Sequence, residues 1–394
     1  MFAALLIVAA AAPGDFVAVG PGEARPMGRV IAIAADGRAT IATAAGEVEV
    51  ADVLSVRRAG APLPPLPRGP LLIATTGDRV PLRKVEAGLL AGDDQTLRVR
   101  PAFDDAEWEV PVAYAATVWL VKPPADTPLE PAREKWLPAN RNRDWIRLRN
   151  GDTASGSFGG FHPEGGLRLK PETGEERLVP LDRIAAVAFN PTLARGRKVK
   201  GPYARLVLGD GTRIGLTQFS ADATRVVGKA LFGPTVEVTW DRIVSLDVLQ
   251  GKGVELADLK PAKAEQVPFL GTTWTWSANR SVGGGALRVG ESTFDRGLGT
   301  APRTTLTYDL GGKYRRFEAT VGLDPASGPR GGAEVRVLVD GKEIPRPELR
   351  SLAAGAAASL AVNLDGAKEL TLIVDFAGDV PAAVNWGDAR LVKP

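Results

Sequence analysis

The chain has 394 residues, 44% of them hydrophobic and 24% charged, which supplies several packed cores and excludes both a disordered tail and a helical membrane protein. Lys and Arg number 49 against 46 Asp and Glu, and a net charge of +3 over this length is no nucleic-acid footprint. The absence of cysteine excludes disulfides, thiolate metal sites and cysteine nucleophiles, and a single histidine leaves any His-based catalysis to one residue.

Residues 2–12 are an unbroken apolar run, too short to span a bilayer but suited to the core of a signal peptide. Ala10, Ala11 and Ala12 offer a small-residue cleavage site. No basic residue precedes the run, and Pro13 is a poor residue after a cut, so cleavage is expected slightly earlier. Residues 1–12 are therefore read as a signal peptide, with a periplasmic or extracellular destination. No later stretch approaches the length of a membrane span.

The rest reads as all-β. Apolar and charged residues alternate at Ile146–Arg149, Leu167–Lys170 and Val335–Asp340. Turn dipeptides punctuate the runs at Asp36-Gly37, Gly77-Asp78, Asp210-Gly211, Asp340-Gly341 and Asp365-Gly366. The first 250 residues are repetitive. Gly151 and Gly211 lie 60 positions apart, and Asp182-Arg183-Ile184 recurs 59 positions later as Asp241-Arg242-Ile243. Weaker copies end near Val56 and Val118. Each unit has room for four or five short strands, and closing such a meander removes its exposed edges. Small SH3-like or Sm-like barrels are expected, two in residues 15–121 and two in residues 142–250. The recurring Asp-Arg pair is read as a turn-capping Asp followed by a surface Arg.

Three further segments read as connections or loops. Residues 61–70 are proline-dense and should be stiff. Pro123–Arg143 and Gly251–Gln266 are polar and proline-containing, and read as linkers. His162 lies in Gly159-Gly160-Phe161-His162-Pro163, a loop pattern with no nucleophile elbow beside it. The basic stretch Arg195–Lys200 lacks interleaved aromatics, so no nucleic-acid partner is expected.

The C-terminal stretch, residues 264–394, carries a specific pattern. It runs through Arg280-Ser281 to Gly290, Thr293-Phe294-Asp295-Arg296-Gly297-Leu298-Gly299, Tyr308-Asp309-Leu310-Gly311-Gly312, Val321–Asp324 and Val384-Asn385-Trp386-Gly387-Asp388. In order and spacing this resembles the NPCBM family of carbohydrate-binding modules. The resemblance implies a galactose-binding-like jelly-roll β-sandwich and a polysaccharide or glycan partner. Many relatives carry a His shortly after Gly-Leu-Gly, whereas Gly299-Thr300-Ala301-Pro302-Arg303 follows here.

A pyranose offers an apolar C–H face and a ring of hydroxyls, so aromatic platforms and planar polar groups are sought. Trp274 and Trp276 are two apart and would share a strand face. Arg280, Asp295, Arg296, Asn385 and Asp388 supply hydroxyl-binding groups nearby in the pattern. The competing reading gives Trp386 to the core and makes Asp295 and Arg296 internal pins of their loop. No cofactor is expected, and no dense Asp/Asn loop supports a structural calcium. No region is long enough for a (β/α)8 catalytic domain. An exported, non-catalytic glycan-binding protein is therefore expected, with a protein partner for the repeats in reserve. The alternative is an envelope structural or protein-interaction protein whose sandwich no longer binds sugar.

Overall fold

The structure is a computed structural model and describes residues 14–83, 91–92, 95–124, 134–162, 165–196, 199–268, 271, 273–377 and 380–394. The apolar run at 2–12 lies outside these. Among the described residues no helix is long and apolar enough to cross a membrane.

Period-two alternation becomes strand wherever the sequence shows it, because it puts one face of each strand into a core. The N-terminal half is four units. The first comprises β1 (Phe16–Val19), β2 (Met27–Ile33), β3 (Ala39–Thr43), β4 (Gly46–Val50) and β5 (Ser55–Arg58). The second comprises β6 (Leu71–Ala74), β7 (Arg79–Pro81), β8 (Ala91–Gly92), β9 (Thr96–Val99), β10 (Trp108–Pro111) and β11 (Ala115–Trp119). The third comprises β12 (Asp144–Leu148), β13 (Thr153–His162), β14 (Gly166–Lys170), β15 (Arg177–Pro180) and β16 (Ile184–Ala188). The fourth comprises β17 (Tyr203–Leu208), β18 (Arg213–Ala221), β19 (Arg225–Ala230), β20 (Thr235–Thr239) and β21 (Ile243–Leu249).

In every unit the last strand returns antiparallel onto the first: β5 on β1, β11 on β6, β16 on β12 and β21 on β17. The same last strands join the units. β21 pairs with β5, Leu246 opposite Val56, and β11 pairs with β16, Val118 opposite Val187. The fourth unit thus packs on the first and the third on the second, a nested order in which one continuous apolar core fills all four. His162 ends β13 rather than lying in a loop, opposite Gly166 of β14.

The recurring Asp-Arg pair sits in one turn of 3₁₀ helix before the final strand, at Leu181–Arg183 and Trp240–Arg242. The expected Asp cap is not what forms. The cap positions are Pro180 and Thr239, with no side-chain cap bond, while Leu181 and Trp240 are the buried anchors.

The C-terminal sandwich begins earlier than residue 264. Its strands are β22 (Gly253–Glu255), β23 (Lys263–Gln266), β24 (Ser277–Ala278), β25 (Leu287–Val289), β26 (Ser292–Phe294), β27 (Gly297–Thr300), β28 (Thr304–Asp309) and β29 (Arg316–Leu323). They continue with β30 (Gly331–Val339), β31 (Lys342–Glu343), β32 (Leu352–Ala353), β33 (Ala357–Asn363), β34 (Glu369–Phe376), β35 (Val380–Pro381) and β36 (Val384–Val392). One sheet runs β24-β27-β36-β29-β33, with β22 also on β36; the other runs β23-β28-β34-β30-β31. Leu306, Tyr308, Phe317, Val321, Val335, Leu372 and Trp386 pack between them. The supposed linker 251–266 thus contains two sheet strands, and Leu256 between them is fully buried in the sandwich core.

Candidate functional site

Apart from Arg280, the residues singled out for sugar binding fall into three places. Asn385 and Trp386 are inside. Asn385 is fully buried and donates from Nδ2 to the Arg288 carbonyl at 2.8 Å. Trp386 is buried in the core, and its Nε1 donates to Thr300 Oγ1 at 3.0 Å. Neither reaches an exposed glycan, which removes Asn385 from the set.

Asp295, Arg296 and Asp388 face the N-terminal half. Asp295 accepts two hydrogen bonds from the Arg213 guanidinium of β18, at 2.8 and 3.1 Å. Arg213 is 1% exposed and also donates to the carbonyls of Pro64, Pro65 and Gly211 at 2.6 to 3.2 Å. The proline-dense stretch 61–70 is thus docked against the fourth unit. Burial alone would raise the Asp295 carboxyl, but the charge and hydrogen bonds of Arg213 outweigh it and hold it below the usual range. Asp388 takes a hydrogen bond from Arg57 of β5, whose guanidinium also grips Asp247 at 2.9 Å. Arg296 pairs with Asp258 within the sandwich. Two of the groups expected to meet hydroxyls, Asp295 and Asp388, therefore fasten the two halves together.

A second fastening lies along β29. Glu318 accepts from Arg390 at 2.9 and 3.0 Å and from Arg25 of the first unit at 2.8 Å, and forms an ion pair with Arg316 at 2.6 Å. Neither Glu318 nor Arg213 carries a sequence signal for this contact, because the partners across the boundary, Arg25 and Asp295, are 293 and 82 positions away.

The Gly-Leu-Gly motif is structural as well. Gly297 adopts φ +139°, and a Cβ there would stand 1.9 Å from the Trp386 carbonyl oxygen. A Cβ on Gly299 would meet the Arg280 carbonyl oxygen at 2.4 Å. Both glycines allow close passage of neighbouring backbone. Arg280, half-buried, belongs to this crossing.

Trp274 and Trp276 occupy the third place. They do not share a strand face, since β24 starts only at Ser277. Trp276 is half-buried against the sandwich core, whereas Trp274 is 48% exposed. The Trp274 backbone N–H donates to Gln266 Oε1 at 3.1 Å, and Gln266 Nε2 donates to the Val267 carbonyl at 3.2 Å. Val267, itself 48% exposed, donates its N–H to the Arg303 carbonyl, and Arg303 Nη1 donates to the Pro268 carbonyl at 3.2 Å. Exposed Trp274, the Gln266 amide and the Arg303 guanidinium thus belong to one hydrogen-bonded patch. Gln266 and Arg303 were not legible as site residues, since they meet Trp274 only through the β23–β28 pairing. Among the described residues no group of three His, Asp or Glu side chains is placed to hold a metal.

Residues 252–392 match the family model of the NPCBM/NEW2 domain. The C-terminal third is an NPCBM module. Among solved structures, the chain is similar to a CBM51 of a GH95 from Clostridium perfringens in complex with methyl-galactose, at 23% identity and TM-score 0.32, covering 36% of this chain and 99% of that one. It is also similar to the tandem CBM51 modules of the family 98 glycoside hydrolase Sp3GH98 from Streptococcus pneumoniae, at 14% identity and TM-score 0.32, covering 64% and 71%. A third, CBM51-2 with GlcNAc and INT domains of ZmpB from Clostridium perfringens, shows 22% identity and TM-score 0.32, covering 45% of this chain and 38% of that one. No curated protein matches. The NPCBM module is a two-sheet β-sandwich by structure.

Proposed function

We propose that the chain is an exported, non-catalytic binding protein whose NPCBM module takes a polysaccharide at its Trp274 end. The observation that carries this reading is the exposed Trp274, whose backbone N–H is bonded to the Gln266 amide in a segment that Arg303 also holds. Apolar side chains of this size are usually inside, and an exposed indole with polar neighbours suits the C–H face of a pyranose flanked by hydroxyls. Export rests on the apolar run at 2–12. The non-catalytic reading rests on an N-terminal half made of small strand-built units that share one core.

A second reading, an interaction protein whose module has given up sugar, is favoured by one observation. Asp295 and Asp388 are engaged by Arg213 and Arg57. A screen of the full chain against plant, algal and bacterial glycans separates the two. Specific binding supports the glycan reading; none across the panel supports the second.

A further inference from the structure

We propose that Glu255 is a proton-operated latch between the N-terminal repeats and the NPCBM module: neutral, it lets the two halves close; ionised, it loosens them. This inference stands apart from the glycan reading.

Glu255 is the last residue of β22, the strand that follows directly on β21 and pairs with β36. It lines a narrow space between the halves, bounded by Leu54, Leu63 and Leu249 and by seven other charged side chains. The space admits about one water centre, roughly 10 Å³. From the N-terminal half it is faced by Arg57 of β5, Arg205 of β17 and Asp247 of β21. From the module it is faced by Arg390 and Asp388 of β36, and by Asp295 and Arg296 before β27.

Every cation in this ring already has a carboxylate. Arg57 holds Asp247 and Asp388; Arg205 stands 3.8 Å from the buried Asp78; Arg296 holds Asp258; and Arg390 holds Glu318. Glu255 is half-buried as a residue, but its Oε2 is shut off from solvent and has no hydrogen-bond partner. An unpaired carboxylate in such a place is costly, so the closed interface favours the protonated acid. Burial pushes the Glu255 carboxyl up to about 7, with Arg390 and Arg296 pulling it down and Asp388 and Asp247 adding to the rise.

A carboxyl raised in the closed state contributes stability that is complete below its ordinary range and is lost as pH rises through its raised value. Ionisation is relieved by letting water reach Oε2, which requires the ring of side chains from the two halves to part. Between the ordinary carboxylate range and about 7 the opening constant should rise about tenfold per pH unit, then level off.

Hydrogen exchange on the full chain reads this directly. Rates for peptides covering 253–258 and 388–392 are corrected for intrinsic exchange from pH 5 to 8.5, with 334–339 in the opposite sheet as internal control. The latch predicts a rising opening constant up to about pH 7 in the interface peptides alone, and a flat profile in Glu255→Gln. A flat wild-type profile overturns it, as does a slope that persists in Glu255→Gln. If that variant does not fold, the wild type decides alone. A slope shared equally by 334–339 marks global unfolding and overturns the latch, and a slope confined to the interface sustains it.

Discussion

Arg213 and Asp295 are 82 positions apart, one in the fourth repeat unit and one in the NPCBM module, and meet through two parallel hydrogen bonds of 2.8 and 3.1 Å. With Arg57–Asp388 and Arg25–Glu318 this makes three ion pairs across the same boundary. The module is held against the repeats by these pairs.

Arg213→Ala should be among the most destabilising single changes in the chain. It removes five hydrogen bonds to four residues and leaves the half-buried Asp295 without its partner, at a cost of up to about 3–5 kcal/mol, the range for breaking a buried pair from one side. Asp295→Asn should cost less, because the amide retains one acceptor for the guanidinium. Urea unfolding of the full chain checks the order; equal and negligible effects would contradict it.

Gly297→Ala should prevent the module from folding natively. The new Cβ would overlap the Trp386 carbonyl oxygen, and φ is +139°. The near-ultraviolet circular dichroism of Trp386 should be lost. A native spectrum would show that the β27–β36 crossing is looser than described.

Trp274 and Trp386 should separate cleanly in stability. Trp386→Ala opens a large cavity and abandons Thr300 Oγ1, at a cost of about 3–5 kcal/mol. Trp274→Ala at an exposed position should change stability by about 0.5 kcal/mol or less. Thermal melts of the two variants test the contrast.

Closure between the halves should be strongest near pH 5 and weaken on both sides. Burial raises Glu318 and Asp295, but Arg390 and Arg213 outweigh it, so both carboxyls lie below their ordinary values. Their contribution is present above the ordinary range and is lost as pH falls through their depressed values. Glu255 acts in the opposite sense, losing its contribution as pH rises to about 7. A melting profile from pH 3 to 8 should therefore be a dome. A monotonic rise to pH 8 would contradict the assignment of Glu255.

The all-β class, the repetition and the module were legible because alternation, turn residues and motif spacing are local. The 60-residue spacing records a unit that ends in a 3₁₀ turn and a strand returning on the first. The site was legible only in part. Trp274 and Trp276 look like a strand pair, yet the chain there is not strand, so one indole turns inward and one stays out. Asp295 and Asp388 look like free polar groups, but their partners Arg213 and Arg57 lie 82 and 331 positions away, beyond any periodic signal. Asn385 alternates with its neighbours as a surface residue would, and is buried because β25 and β26 fold over that end of β36.

The central claim is that the NPCBM module binds a glycan at Trp274, and titration of a glycan from the array screen into the full chain and into Trp274→Ala tests it most directly. The account predicts at least a tenfold loss of affinity with an unchanged melting temperature. Equal affinity in the two proteins would contradict it and move the site elsewhere on the module.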